Sequence, residues 1–347
     1  MLYQERSERI MAKISVIGAG TWGTALAILL HGNGNQVTIW SALPGEVEEL
    51  NSTRVHRNLP KAKIPSEIEI TGDLKSAMEE RDLLVLAVPS VFVRSTARRM
   101  REFLRPGQIV VNVAKGIEED TLKTLTEIIE EELPGVQVAA LSGPSHAEEV
   151  SLGLPTTCVA AAHKRHVAEY VQGLFMSRIF RVYTSPDLKG VELGGSLKNV
   201  IALAAGMADG LGFGDNTKAA LITRGIAEIG RLGIEMGGRA ETFAGLTGIG
   251  DLIVTCASMH SRNRRAGILM GQGHTMEEAM KEVNMVVEGV HSAKAALALS
   301  RRYGVSMPIV EQVNAVLFDG QPARESVTEL MLRDKRIENA GMDWEAD

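Results

Sequence analysis

Residues Ile14–Gly23 read I-S-V-I-G-A-G-T-W-G, a short apolar run that breaks into Gly18-x-Gly20-x-x-Gly23 and then into an alanine- and leucine-rich stretch. That order spells strand, tight glycine turn and helix start. Gly18 permits the sharp turn, and Gly20 removes the Cβ that would keep a phosphate away from the backbone. Gly23 lets helix and strand pack closely, and the free N–H groups at the helix start face an anion. The pattern points to a site for a dinucleotide's pyrophosphate. Glycine turns of this kind also occur in other α/β proteins, but here Gln36–Trp40 (Q-V-T-I-W) supplies a second strand at the expected distance.

Working outward, short β-branched runs recur at Leu83–Val88, Ile109–Val113, Val138–Ser142, Thr156–Ala161 and Phe180–Thr184, with helical patterns such as Thr121–Glu132 and His163–Phe175 between them. Continuous apolar strands separated by crossover helices indicate a doubly wound parallel sheet buried on both faces. Whether the last strands join parallel or antiparallel stays open. From Gly190 the strand signal fades into helix-period stretches at Leu197–Ala208, Lys218–Gly233, Arg262–Met270, Gly289–Tyr303 and Val310–Phe318. The expected fold is α/β: an N-terminal Rossmann-type doubly wound sheet followed by an all-α C-terminal domain. We divide it into a flexible tail at residues 1–11, a dinucleotide-binding domain at 12–189, a helical substrate domain at 190–335 and a tail at 336–347. The substrate cleft is expected between the domains, where carboxyl ends of strands meet helices.

The 347 residues suffice for two cores, and a formal net charge of -6 argues against nucleic acid or a membrane as partner. Any phosphate site must be a local basic cluster. Cys158 and Cys256 make neither a disulfide framework nor a zinc spacing, which suits a reducing cytoplasm. No apolar run reaches membrane-spanning length, and the charged first ten residues lack the apolar core of a signal peptide. Met11 is an alternative start.

Several residues carry the chemistry. Lys115 follows a strand's carboxyl end in V-A-K-G, where ligands of open α/β sheets bind, although a solvated loop lysine reads the same. Lys198 lies in G-G-S-L-K-N-V-I-A-L, with Gly194, Gly195, Ile201 and Ala202 as helical neighbours and no carboxylate among them. Apolar surroundings disfavour its ammonium and suit it to proton transfer; snorkelling to a surface is the other reading. Asp251, after G-L-T-G-I-G, either caps a helix, orients a lysine or accepts a substrate hydroxyl. The cluster His260-Ser261-Arg262-Asn263-Arg264-Arg265 suits a phosphate dianion, or is a solvated helix face. Ser142–Ala147 offers backbone and hydroxyl donors at the sheet's edge. His163 and His166 lack partner ligands and are expected in solvent; no metal is expected.

Six long motifs together resemble the bacterial NAD(P)-dependent sn-glycerol-3-phosphate dehydrogenases: G-A-G-T-W-G-T-A-L-A from Gly18, N-V-A-K-G-I-E from Asn112, L-S-G-P-S-H-A-E-E from Leu141, G-V-E-L-G-G-S-L-K-N from Gly190, G-L-T-G-I-G-D-L-I-V-T-C-A-S-M-H-S-R-N from Gly245 and V-V-E-G-V from Val286. The resemblance implies reversible reduction of dihydroxyacetone phosphate to sn-glycerol 3-phosphate for glycerophospholipid synthesis, with NADPH or NADH, in a cytoplasmic homodimer. It implies Lys198 as proton acceptor and Lys115 as a second substrate lysine near the nicotinamide. Gly143, Ser145, Asp251, Ser261, Arg262 and Asn263 would contact substrate. Gly18, Gly20, Thr21, Trp22, Gly23, Ala147, Arg262, Val286 and Glu288 would contact cofactor. Relatives often carry a basic residue after the second strand; here W-S-A-L-P-G has none, and no acid precedes Glu46, so weak discrimination between NADH and NADPH is expected.

Overall fold

The computed structural model describes residues 11–335, 337 and 338, so the two expected tails and the question of the start lie almost wholly outside it. Its sheet half comprises β1 (Lys13–Ile17), α1 (Thr21–Gly32), β2 (Gln36–Trp40), α2 (Pro44–Thr53), β3 (Glu69–Thr71), α3 (Leu74–Met78), β4 (Leu83–Leu86), α4 (Val93–Met100) and β5 (Ile109–Asn112). It continues with α5 (Leu125–Glu132), β6 (Gln137–Ser142), α6 (Ala147–Ser151), β7 (Thr156–Ala162), α7 (Arg165–Phe175) and β8 (Phe180–Ser185). The eight strands run β3-β2-β1-β4-β5-β6-β7-β8. β3 to β6 are parallel, and Val16 sits opposite Ile39 on one side and Val85 on the other.

Alternate residues of β1 enter different cores, as the pleat requires: Ile14 and Val16 pack with Leu26 and Leu30 of α1, whereas Ile17 packs with Trp40, Leu84 and Leu86. Both faces being covered explains why these strands read as unbroken apolar runs. The open question about the last strands resolves as one reversal, β7 antiparallel to β6 and β8 parallel to β7. Only the five-residue α6 links β6 to β7, too little for a full helical crossover.

Three local expectations shift. The helix expected from Thr121 begins at Leu125, because Thr124 and Glu127 form a capping box and a bridge from Ile117 to Thr124 pins the preceding loop. The helix expected from His163 begins at Arg165. β3, three residues at the sheet edge, is too short to announce itself as a run.

The helical half comprises α8 (Leu188–Gly210), α9 (Asp215–Glu235), α10 (Ala240–Phe243), α11 (Asp251–Ala257), α12 (Arg262–Gly271), α13 (Met276–Val283), α14 (Glu288–Tyr303), α15 (Pro308–Phe318) and α16 (Ala323–Met331). The stretch expected at Leu197–Ala208 is the middle of the 23-residue α8, which is buried over most of its length. Its N-terminal glycines do not break it, since neighbours occupy the space a side chain would need. A Cβ on Gly194 would lie 2.6 Å from the Thr247 carbonyl oxygen, and one on Gly195 2.7 Å from Ser142 Oγ. Further along, Gly206 and Gly210 of α8 meet Gly267 and Gly271 of α12 backbone to backbone; a Cβ on Gly267 would overlap the Leu203 carbonyl oxygen. No single helix among the described residues is long and apolar enough to cross a membrane.

The α8–α12 seam makes a test of sign. Helix propensity alone favours Gly267→Ala by about 1 kcal/mol, whereas overpacking against backbone costs about 1–3 kcal/mol. We expect net destabilisation in urea denaturation; a stabilised variant would contradict this packing.

Candidate active site

A cleft of about 400 Å³ opens where the carboxyl ends of the parallel strands meet the helical half. From the sheet it is lined by Gly20–Trp22 after β1, Ala87–Pro89 after β4, Val113–Lys115 after β5 and Ser145–Ala147 after β6. From the helices come Lys198 and Asn199 of α8, Thr255 of α11, Ser261–Asn263 at the start of α12, and Val286 and Glu288 at the start of α14.

At one end the residues fit a dinucleotide. Gly18 has φ +125°, and a Cβ there would lie 2.7 Å from the Ala87 carbonyl carbon. A Cβ on Gly23 would overlap the Gly18 carbonyl oxygen, so these two glycines close the turn and lie behind the cleft. The Cβ direction of Gly20 is instead open, with nothing within 4 Å, and no side chain caps α1 at Gly20. The first N–H groups of α1 are left for an anion, the arrangement that binds pyrophosphate. Asn58 Nδ2 donates to Thr21 Oγ1 at 3.2 Å. On the opposite wall, Glu288 accepts from the Ser90 N–H at 3.0 Å and from the Ser90 hydroxyl, joining α14 to the loop after β4.

The reactive end is a cluster of two amines and one carboxylate. Lys198 Nζ donates to Asp251 Oδ1 and, at 2.8 Å, to Thr255 Oγ1. Lys115 Nζ donates to Asp251 Oδ2 at 2.7 Å and to the Gly143 carbonyl at 3.0 Å. Thr255 in turn donates to the Asp251 carbonyl at 2.6 Å. Asp251 and Lys198 are buried, and Lys115 is only 19% exposed at its side chain. Two ammonium groups thus share one carboxylate, leaving a positive charge unneutralised in a poorly hydrated place. Burial pushes the Lys198 amine down to about 7, with the neighbouring Lys115 charge adding to it against the pull of Asp251. Burial likewise holds His146 down at about 4, aided by both lysines, and pushes the Cys158 and Cys256 thiols up to about 12. All three are uncharged near pH 7.

The phosphate-type donors gather at the N-terminus of α12. Ser261 is its N-cap, accepting from the Arg264 N–H at 3.2 Å with its own proton still to give. The Arg262 guanidinium lines the cleft, and burial lowers its pKa, so its charge lacks full hydration. Arg264 turns away to Asp209 at 2.7 Å. Asn263 bonds inward: its Nδ2 donates to Asn199 Oδ1 at 2.9 Å and its Oδ1 accepts from the Gly289 N–H at 2.8 Å, lashing α12 to α8 and α14.

The structure therefore gathers Lys115, Lys198, Ser145, Ala147, Ser261, Arg262, Asn263, Val286, Glu288, Gly20, Thr21 and Trp22 on one cleft, while Gly143 and Asp251 lie behind it. The solvated reading of Lys115 and the snorkelling reading of Lys198 both fail on burial. The capping reading of Asp251 fails too, because both its oxygens are taken by amines and no side-chain cap forms at α11. The carboxylate that sequence neighbours do not supply to Lys198 arrives from another helix. His163 lies 3.5 Å from Glu130, and His166 faces Gln137 at 2.9 Å. Among the described residues no group of three or more His, Cys, Asp or Glu side chains is placed to hold a metal ion. Sequence reasoning missed Thr255, although its place one helical turn after Asp251 was a usable signal; it included His146 in the Ser142–Ala147 stretch without giving it a role, and it did not single out Asn199 or Ser90.

Comparison with known proteins identifies the family. The family model for the NAD-dependent glycerol-3-phosphate dehydrogenase N-terminus matches residues 13–168, and that for the C-terminus matches residues 187–328. The chain is 62% identical to a glycerol-3-phosphate dehydrogenase [NAD(P)+] of Agathobacter rectalis, over 96% of this chain and 100% of that one. It is 63% identical to the Fusobacterium nucleatum enzyme of the same name, over 94% and 99%. Among solved structures, glycerol-3-phosphate dehydrogenase from Coxiella burnetii superposes with a TM-score of 0.90 at 36% identity, covering 93% of this chain and 99% of that one. With both halves matched in order, this chain belongs to the NAD-dependent glycerol-3-phosphate dehydrogenase family.

Proposed function

We propose that Lys198 moves the proton in the family's reaction, the NAD(P)-dependent interconversion of dihydroxyacetone phosphate and sn-glycerol 3-phosphate. The observation that carries this reading is the buried Lys198–Asp251–Lys115 cluster at the cleft wall. A reduced nicotinamide dinucleotide bound at the glycine turn supplies the hydride. The chain must then steady the ketone oxygen as it gains charge and give it one proton. Lys198 as ammonium does both, and as neutral amine takes the proton back in the oxidative direction. Asp251 aims the two amines, and Lys115 adds its charge beside the same oxygen. Arg262 and Ser261 hold the phosphate, whose binding energy fixes the reacting carbon in place. Gly143 serves by its carbonyl, which accepts from Lys115 and, at 2.9 Å, from the Ser145 hydroxyl, and that hydroxyl turns from the carbonyl to meet substrate. Gly20, Thr21, Trp22, Ala147, Val286 and Glu288 flank the cofactor.

In this reading residues 12–189 carry most of the cofactor site and residues 190–335 most of the substrate site, with Lys115 and Ser145 reaching substrate from the first and Val286 and Glu288 reaching cofactor from the second. The buried apolar core of the helices draws only Ile117 from the sheet half, which supports the division. The family resemblance extends it to a cytoplasmic homodimer that supplies glycerophospholipid synthesis.

Cofactor choice follows from the rim beyond β2. Glu46, held by the Ser41 hydroxyl at 2.5 Å, and Arg57 both line the cleft there. A carboxylate suits a ribose diol and a guanidinium suits a 2′-phosphate, so neither cofactor is strongly refused. Dissociation constants for NADH and NADPH, read by nicotinamide fluorescence, should differ less than about a hundredfold, roughly 3 kcal/mol; a larger gap contradicts this reading.

Lys198→Ala should lower kcat about 10³-fold, the scale of a lost general acid–base group, with cofactor dissociation constants nearly unchanged. Near-normal turnover would remove Lys198 from the chemistry. With the amine titrating near 7, kcat for ketone reduction should fall as pH rises through that value, while glycerol 3-phosphate oxidation gains. Arg262→Ala should raise KM for dihydroxyacetone phosphate about 30- to 100-fold, equivalent to roughly 2–3 kcal/mol for a charge-assisted contact, and Arg262→Lys should recover part of it. An unchanged KM would move the phosphate elsewhere.

A further inference from the structure

Lys115 stands on a loop, yet its ammonium must meet Asp251 within hydrogen-bonding distance in a crowded site. The restraint comes from α8. Asn112, the last residue of β5, braces the turn ahead of Lys115: its Oδ1 accepts from the Ala114 N–H at 3.1 Å and its Nδ2 donates to the Ala114 carbonyl at 3.1 Å. The same Nδ2 donates to Glu192 Oε1 at 3.2 Å. Glu192, buried near the start of α8, also accepts from the Thr126 N–H at 3.0 Å and from the Thr126 hydroxyl, which anchors it to the first turn of α5. One turn along α8, Ser196 Oγ donates to the Gly116 carbonyl at 3.0 Å, gripping the loop on the other side of Lys115. Between these ties a Cβ on Gly195 would lie 3.6 Å from Lys115 Cγ, so the lysine stem crosses α8 where there is no side chain.

We propose that Glu192 is a positioning residue for the dehydrogenase reaction: through Asn112 it holds the loop that places the Lys115 ammonium on Asp251, beside Lys198. Glu192 touches neither the cleft nor either amine. It acts from the same helix that carries Lys198, so one rigid element sets both amines relative to one carboxylate. The carboxyl is wanted for its acceptors more than its charge. Burial pushes Glu192 up to about 7 despite its hydrogen bonds, and an amide at this position can keep them, since the Thr126 hydroxyl can turn and accept.

The inference rests on Lys198 as the proton carrier, and that dependence supplies a readout. Lys115 is one of the charges that depress the Lys198 amine. Releasing the loop withdraws that charge and leaves Asp251 to Lys198 alone, so the Lys198 amine holds its proton to higher pH. The other groups facing Lys198 are Asp251, Thr255 and Cys256 from α11, His146 from the loop after β6, and Cys158 of β7, whose thiol burial also pushes up to about 12. With His146 titrating near 4 and Cys256 near 12, a displaced midpoint near neutrality reports on Lys115.

The experiment compares pH profiles of kcat for glycerol 3-phosphate oxidation in the full-length wild type, Glu192→Ala and Glu192→Gln, with foldedness checked by circular dichroism and cofactor binding. Glu192→Ala should move the midpoint up by about one pH unit, a tenfold change in proton affinity, and lower kcat/KM at neutral pH about tenfold. Glu192→Gln should keep the wild-type profile. Asn112→Ala, which cuts the relay and leaves Glu192 bonded to Thr126 of α5, should reproduce the shift if Glu192→Ala does not fold. A wild-type midpoint in whichever of these two variants folds overturns the proposal, because a merely structural residue would lower stability and leave the midpoint alone. A Glu192→Gln profile that follows Glu192→Ala also overturns it. Turnover surviving in Lys198→Ala would instead sink the reading of Lys198 and leave the loop restraint to be judged by KM alone.

Discussion

A single buried carboxylate, shared by two amines, is the constraint around which the rest of this molecule is arranged. An ammonium in a dry place is costly unless paired, and removing one partner of a buried charge cluster costs more than the pair contributes. Asp251 neutralises one positive charge and leaves the other. That residue of charge lowers the affinity of Lys198 for its proton. A chain with a formal net charge of -6 thereby keeps a local positive charge at this cluster, with Arg262 on the same cleft.

Such a cluster needs its parts held to within a few tenths of an ångström, and the composition of the helical half answers that need. Helix α8 is poor in bulky residues where neighbours must come near. Gly194 admits the Thr247 carbonyl of the turn leading to Asp251, Gly195 admits the Lys115 stem, and Gly206 and Gly210 admit α12 with Arg262 at its start. These glycines exist for close approach and lie within regular helix, so their flexibility is not what is being used. The sheet contributes from the other side. Parallel strands put every carboxyl end on one edge, so the glycine turn, Pro89, Lys115 and Ser145 reach the same cleft without long loops.

Local pattern reached the residues whose signal is local. Gly18, Gly20 and Gly23 fall between an apolar run and a helix start; Gly18 and Gly23 pack where a side chain would clash, and Gly20 leaves open space at the cleft. Lys198 stands out because a charge in so apolar a helix needs a reason, and Arg262 because basic residues cluster at a helix start. Asp251 stayed ambiguous among three readings, since its partners lie 53 and 136 residues away. Glu192 carries no signal at all: a glutamate in a helix usually faces water, and only the crossing of α8 over Asn112 and Thr126 buries it.

The amino-acid order by itself determined most of the strands and the long helices, the glycine turn after the first strand, and which cations are short of nearby acids. Those properties depend on periodicity and on neighbours within a helical turn. Only the tertiary structure decided that Lys198 has a carboxylate after all, that Lys115 shares it, that Asn263 spends its amide holding helices together, and that the last strand pair of the parallel run reverses. Electrostatics acts through space with a reach of a few ångströms, and distance along the chain says nothing about which groups fall inside that reach.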